Sequence, residues 1–274
     1  MAQERFITLT TDFGPSDHYV GAMKGVVYSI NPSAQVVDIS HAVSSYDILD
    51  GALTIAQAYS YFPPESIHVV VVDPGVGSAR RPIVARTEKY LFVAPDNGVL
   101  SLVFEREERV HVHEITSEHY FRQPLSQTFH GRDVFAAVAG WISKGVEFAN
   151  LGNEITDYVR FRLPRPMRVE NGAIQGVVLK VDKFGNVVTN ISPQDAPQLF
   201  APEPPPFKIL ISKHEITSLK RAYADGAPGE VFGILGSMGF LELSTNRGSA
   251  ARTLEAGKGT EVVLSGTWKL ESGK

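Results

Sequence analysis

Ile67-His68-Val69-Val70-Val71-Val72-Asp73-Pro74-Gly75-Val76-Gly77 runs from six mostly apolar, β-branched residues straight into Asp-Pro-Gly. Such a run has no alternating polar face, so it predicts a central strand buried on both sides. Upstream, Phe6 to Thr10 reads as another buried strand that ends in the loop Asp12-Phe13-Gly14. Between the two lie a helix over Tyr19 to Ile30 closed by Asn31-Pro32, a strand over Gln35 to Ile39, and a helix over Asp47 to Tyr61 ended by Pro63-Pro64. Downstream, Ile83 to Arg86 and Leu91 to Ala94 read as strands, Gly98 to Phe104 as a short helix, and Asp133 to Lys144 as a helix with apolar positions at helical spacing. Strands alternating with helices argue an α/β sheet, here an N-terminal α/β domain over residues 1–165. In such sheets functional groups gather at the carboxyl ends of strands. Asp12 and Asp73 both stand there.

The character changes at Arg160 to Arg168, which holds two prolines and several arginines. Short β-rich segments follow: Ala173 to Val181, Val187 to Ile191, Phe207 to Ile211, Val231 to Leu235, Phe240 to Leu243 and Thr260 to Ser265. Turn residues separate most of them, and Pro202 to Pro206 is a surface loop. This predicts a smaller C-terminal β-barrel domain over 172–274.

Composition narrows the function. The 274 residues carry a net charge of −4, with 43% apolar residues and no cysteine. No basic stripe interleaved with aromatics is present, so no nucleic-acid partner is expected. Without cysteine there are no disulfides, thiolate zinc sites or cysteine nucleophiles. Met1 to Thr10 lacks a signal pattern, and runs such as Val69 to Val72 are too short to cross a bilayer. The expectation is a soluble, cytoplasmic protein with no membrane partner.

Four segments place an ionisable residue beside glycine: Asp12-Phe13-Gly14, Asp73-Pro74-Gly75-Val76-Gly77, Phe129-His130-Gly131-Arg132-Asp133 and Asp182-Lys183-Phe184-Gly185-Asn186. Glycine lets backbone approach a ligand closely. Each also has a plainer reading. Asp73 could cap its own turn. His130 could be a hydrogen-bonded core histidine and Asp133 a helix N-cap, with Arg132 a surface charge. Phe184-Gly185-Asn186 could be a hairpin turn. No phosphate loop, nucleophile elbow or His-Glu-x-x-His motif occurs. His111 and His113 share one face of a probable strand while Glu114 points away, which makes a poor metal site.

Taken together and in order, these segments resemble one family across nearly the whole chain. The series includes Lys24-Gly25, Val37-Asp38-Ile39-Ser40-His41, Ala94-Pro95-Asp96-Asn97-Gly98, Asp182-x-Phe184-Gly185-Asn186-x-x-Thr189-Asn190 and Asn246-Arg247-Gly248. The family is that of the S-adenosyl-L-methionine (SAM) hydrolases, or SAM hydroxide adenosyltransferases, relatives of fluorinase and chlorinase. The resemblance implies an N-terminal α/β domain, a C-terminal β-barrel, and a homotrimer with sites at subunit interfaces. It implies a small-molecule substrate, SAM, with no cofactor and no metal. The implied reaction is attack by water or hydroxide at the ribose C5′, releasing adenosine and L-methionine.

The resemblance also implies roles. Asp73, Arg80 and His130 would form the catalytic set, with Arg80 preferred to Arg81 because the family places its arginine seven residues after the aspartate. Asp73 and His130 would hold the water, and Arg80 would fix the carboxylate as an acceptor. Asp12 would take the ribose hydroxyls, with Tyr46 and Phe129 against the sugar. Phe184 and Tyr223 would cover the adenine, and Asn186 and the backbone near Arg247 would read its edge. Asp17 and Asp182 would meet the methionine ammonium, and Ser237 and the backbone of Met238 its carboxylate. Gly131 and Asn246 complete the binding set. Where this chain has Met238 the halogenases often carry arginine, so no side-chain salt bridge is expected there. The halogenases carry tyrosine where this chain has Asp73, and fluorinase has an insertion between the segments matching Arg80 and Ala94. A bare carboxylate about 4 Å from a halide costs about 4 kcal/mol at an effective dielectric of about 20. Both features favour water. The alternatives are a halide-dependent 5′-nucleosyl transferase and a non-catalytic adenosine- or SAM-binding protein.

Overall fold

The computed structural model describes residues 5–169 and 172–267; the last seven residues of the expected C-terminal domain, 268–274, lie outside them. The chain divides into two compact units between Arg162 and Leu163. No helix of the described residues is long and apolar enough to cross a membrane.

The first unit is built on a six-stranded sheet. Its strands are β1 (Phe6–Thr11), β2 (Gln35–Ser40), β3 (Ile67–Val71), β4 (Pro82–Arg86), β5 (Leu91–Pro95) and β6 (His111–Glu114). Their order is β2-β1-β3-β5-β4-β6. The first four in that order are parallel, and β4 runs antiparallel to both β5 and β6. All five residues of β3 are buried. Alternation sends Val69 and Val71 to one face, where they meet Met23 and Val27 of α1 (Tyr19–Ile30) and Val138 and Ile142 of α4 (Ala137–Ser143). Val70 goes to the other, against Ile55 of α2 (Ile48–Ala58) and Val103 of α3 (Ser101–Arg106). The strand is apolar throughout because both faces are covered.

Three helices differ from the sequence reading. Asp47 is the N-cap of α2, accepting from the Asp50 N–H, and Tyr59–Tyr61 continue only as a single 3₁₀ turn. The helix expected from Gly98 begins at Ser101. The helix expected over 133–144 opens instead as a π-turn, Gly131–Ala136, before α4. A π-turn inserts one extra residue without breaking the apolar pattern, so periodicity does not reveal it.

The second unit carries β7 (Met167–Arg168), β8 (Ile174–Val181), β9 (Val187–Thr189), β10 (Phe207–Ile211), β11 (His214–Ile216), β12 (Leu219–Lys220), β13 (Val231–Leu235), β14 (Leu241–Thr245) and β15 (Glu261–Gly266). A short helix, α5 (Ala250–Leu254), is capped by Ser249. The path is β11-β10-β15-β8-β9-β14-β13-β12, with β7 on the side of β8. Among the described residues no pairing joins β11 to β12, so the sheet is curled and open where a barrel is expected. The curl brings β11 against β13 and encloses Ile174, Val178, Ile209, Leu241, Leu243 and Val262.

Candidate active site

Because β1, β3 and β5 are parallel, Asp12, Asp73 and Asn97 leave the sheet at the same edge. From there the chain 73–80 loops back. Arg80 Nε lies 3.0 and 2.9 Å from the two Asp73 oxygens. Arg80 Nη2 donates to Asp73 Oδ2 at 2.5 Å and reaches His130 Nδ1 at 2.7 Å. The side chains of Arg80 and Asp73 are only 8% and 5% exposed, and the guanidinium sits over the buried ring of Phe135 at 5.2 Å. Asp73 is therefore more than a turn cap. Its two bonds to a common nitrogen also keep Asp73 Oδ2 and His130 Nδ1 no more than about 5.2 Å apart. Arg80 Nη2 itself bridges them, so the water expected between Asp73 and His130 cannot use Nδ1.

The contact with Arg80 fixes the imidazole. A guanidinium has no acceptor and is always charged, so His130 Nδ1 must accept. His130 is then neutral, with its proton on Nε2. Burial first, and then the charge of Arg80, hold its pKa below the ordinary value, against opposing pulls from Asp73 and Asp133. Nε2 is buried and has no hydrogen-bond partner among the described residues.

Neighbouring groups brace this cluster. Asp133 is fully buried and caps nothing. It accepts from Arg132 Nε at 2.6 Å, Arg132 Nη2 at 2.8 Å and the Ser126 N–H at 2.9 Å. Burial alone would raise the Asp133 carboxyl, but the Arg132 bond, the Ser126 N–H and the nearby guanidinium charges bring it below its usual value. It thus ties residue 126 to the turn that starts after His130. A Cβ on Gly77, whose φ is +78°, would lie 2.4 Å from the Gln127 carbonyl oxygen, so the loops carrying Arg80 and His130 touch where only glycine fits. Asn97 Nδ2 donates to the Val72 carbonyl at 2.8 Å, one residue before Asp73. Arg81 faces elsewhere, binding Asp96 at 2.7 Å and Asp157 at 2.8 Å.

Asp12 Oδ2 accepts from the Tyr46 N–H at 2.8 Å. Tyr46 has φ +65°, unusual for a non-glycine, and the residue is 75% exposed. The Thr11 hydroxyl meets His41 Nδ1 at 2.8 Å, and Gly14 donates to the His41 carbonyl, which steadies the Asp12 loop. Phe129 and Gly131 flank His130, and Asp17 lies exposed on the loop before α1. Phe13, Tyr19, Asp73, Phe129, His130 and Gly131 line a common cavity of about 130 Å³.

The other expected binding residues belong to the second unit. Asp182 Oδ1 accepts from the Phe184 and Asn186 N–H groups, both at 2.8 Å, and Oδ2 accepts from the Asn186 amide at 2.8 Å. Its carboxylate folds its own turn, and Phe184 in that turn is 74% exposed. The Tyr223 hydroxyl donates to Glu242 at 2.8 Å; burial, and then that bond, push the Tyr223 pKa up to about 12. Ser237 and Met238 sit in the turn between β13 and β14. Asn246 donates to the Gly226 carbonyl at 2.9 Å, and Arg247 has φ +57°. Sequence reasoning did not single out Tyr19 or Glu242. Glu242 is buried beside Ser244 and Tyr223, and the only signal for it was a lone acid inside an apolar strand.

His111 pairs with Glu154 at 2.8 Å, and His113 binds the Gly152 carbonyl at 2.9 Å. A larger hollow of about 810 Å³ beside β10 and β15 is lined by prolines, Phe207, Leu219 and Ser265; among the described residues no carboxylate or imidazole lines it. Size does not make it the reactive site.

Two domain models match, SAM hydroxide adenosyltransferase N-terminal over residues 7–152 and C-terminal over 176–263. A protein named (R)-S-adenosyl-L-methionine hydrolase from Salinispora tropica is 36% identical, covering 93% of this chain and 95% of that one. Another of the same name from Methanocaldococcus jannaschii is 41% identical over 68% of this chain and 66% of its own. Fluorinases match at 24–26% identity. The crystal structure of an uncharacterized conserved protein from Thermotoga maritima superposes with a TM-score of 0.86 at 36% identity, covering 94% of this chain and 99% of that one. On this coverage and identity, the chain belongs to the SAM hydroxide adenosyltransferase family.

Proposed function

We propose that this protein hydrolyses SAM to adenosine and L-methionine. The observation that carries the reading is the buried Asp73–Arg80–His130 cluster, which places a locked carboxylate beside a cavity in the first unit. Water attacks C5′ from the side opposite sulfur. As the new O–C5′ bond forms, the C5′–S pair leaves with sulfur, converting the sulfonium to the neutral thioether of methionine. The water proton passes to Asp73 and then to solvent. The sulfonium is already a good leaving group, so no general acid is needed. Catalysis rests on holding the water in line and excluding its competitors.

In this reading Arg80 presents Asp73 as an acceptor, and His130 holds Arg80 from the other side. The single lone pair of Nδ1 is taken by Arg80, so Asp73 is the acceptor left facing the water. Asp12 takes the ribose hydroxyls, with Tyr46 and Phe129 against the sugar and Gly131 beneath it. Phe184 and Tyr223 cover the adenine, with Asn186, Asn246 and the Arg247 backbone at its edge. Asp17 and Asp182 meet the ammonium, and Ser237 and Met238 the carboxylate. No metal or cofactor takes part.

The reading includes a homotrimer in which a neighbouring copy supplies the second-unit residues. The exposed rings of Tyr46 and Phe184 support it, since aromatic faces left in water favour a partner. It also includes functional domains at 1–165 and 172–274, closure of the second sheet into a barrel, and cytoplasmic residence, which suits a chain without cysteine.

Incubation of the protein with SAM, followed by chromatography, should give adenosine and methionine in equal amounts. In chloride, no 5′-chloro-5′-deoxyadenosine should form. Retention of intact SAM would mean a binding protein, and a chlorinated nucleoside a halide transferase.

A further inference from the structure

Three aromatic rings of the first unit meet beside the reactive cluster. The Tyr19 and Phe129 centroids are 5.1 Å apart with their planes at 87°. Phe13 and Phe129 are 6.0 Å apart at 74°, and Phe13 and Tyr19 5.6 Å apart at 52°. Steeply inclined planes make walls rather than a stack. The three rings line the same cavity of about 130 Å³ as Asp73 and His130. Packing holds two of them: a Cβ on Gly131 would lie 3.1 Å from Phe13 and 3.4 Å from Phe129. Arg132 already covers Phe129 at 5.0 Å, so that ring has less to offer a second cation. Tyr19 is 39% exposed; the His18 ring lies 4.6 Å from it at 33°, and among the described residues no lysine or arginine lies over it or over Phe13.

We propose that Phe13, Tyr19 and Phe129 form an aromatic box that recognises the positive sulfur of the substrate. Ring faces carry negative potential, and a cation over them is held by about 0.5–2 kcal/mol, more as water is excluded. Asp73 in the same cavity adds little attraction, because the Arg80 guanidinium offsets its charge, so the rings carry the recognition. The inference rests on the reading of the protein as a SAM hydrolase and deepens it. The box selects the charged substrate over neutral thioethers of the same shape. Since the positive charge on sulfur fades as C5′–S breaks, the box holds the bound substrate better than the transition state; it serves binding and selectivity, at a small cost to the chemical step. Tyr19 is therefore a specificity-determining residue.

The test compares two uncleavable ligands by calorimetry. Sinefungin keeps a cation at the sulfur position, and S-adenosylhomocysteine is neutral there. Tyr19→Leu should weaken sinefungin about tenfold and S-adenosylhomocysteine by less than about twofold. Tyr19→Phe, which keeps the ring face, should retain the wild-type ratio. Equal weakening of both ligands, or no weakening of sinefungin, overturns the box. Wild-type SAM turnover is read from the same preparations. Its absence with the Tyr19 effect intact would sink hydrolysis and leave the box standing; its presence without the effect would do the reverse.

Discussion

Arg80 Nη2 lies between a carboxylate and an imidazole, and that position decides what each residue can do. Asp73→Asn keeps the shape but weakens the acceptor, so turnover should drop about 10²-fold or more while SAM binding persists. His130→Ala removes the far support of Arg80 and should cost a similar factor, again with binding retained. Single-turnover rates and calorimetry on the folded variants separate the two effects, and wild-type rates in both variants would remove the cluster from catalysis. The pH profile follows from the same contact. Protonated His130 would turn an N–H toward the Arg80 donors, so activity requires the neutral ring. Its pKa is held below the ordinary value of about 6.5. The acidic limb of kcat should therefore lie below pH 6.5; a limb above pH 7 would contradict this assignment of His130. Arg80 also revises the halide argument. Repulsion by a bare carboxylate overstates the barrier, because the buried guanidinium cancels much of the Asp73 charge at the pocket.

At the scale of elements, strand ends and two loops place the cluster. Asn97, at the end of β5, holds the Val72 carbonyl at the end of β3. Asn97→Ala should leave the circular-dichroism spectrum intact and lower kcat about tenfold, with KM within about twofold, because the lost bond positions Asp73 rather than the substrate. A larger KM change with kcat unaltered would assign Asn97 to binding instead. The strands were legible in the sequence because their apolar runs are long and their ends carry Asp12 and Asp73. The choice of Arg80 over Arg81 came from family spacing; in the structure Arg80 pairs with Asp73, and Arg81 with Asp96 and Asp157. What escaped reading was short or aperiodic. β11, β12 and α5 span three, two and five residues, too few to show a period. Tyr19 was read only as the start of a helix, because a ring wall depends on Phe129, far along the chain.

Across the whole molecule, the parallel core has its own pH limit. His68 sits fully buried on β3, bonded to Thr8 at 2.7 Å and ringed by Tyr59, Tyr90 and Phe92. Burial lowers its pKa to about 3. The unfolded chain takes up this proton below about pH 6.5 and the folded one does not. Stability is therefore full above pH 6.5 and falls toward pH 3 by at most about 1.4 kcal/mol per unit. The urea midpoint should fall faster between pH 6.5 and 4 in the wild type than in His68→Gln; parallel curves would show that His68 does not set this slope. For the assembly, light scattering should give a mass of about 90 kDa, three times the 29.9 kDa chain. Mixing Asp73→Asn and Phe184→Ala variants should restore part of the activity if neighbours share sites. A 29.9 kDa particle with full activity would exclude a shared site.

The most direct measurement is turnover of SAM in ¹⁸O-labelled water with mass analysis of the products. Attack at C5′ by the water held at Asp73 puts one ¹⁸O in the adenosine 5′-hydroxyl and none in methionine. Label in methionine, or adenosine without label, would contradict that chemistry.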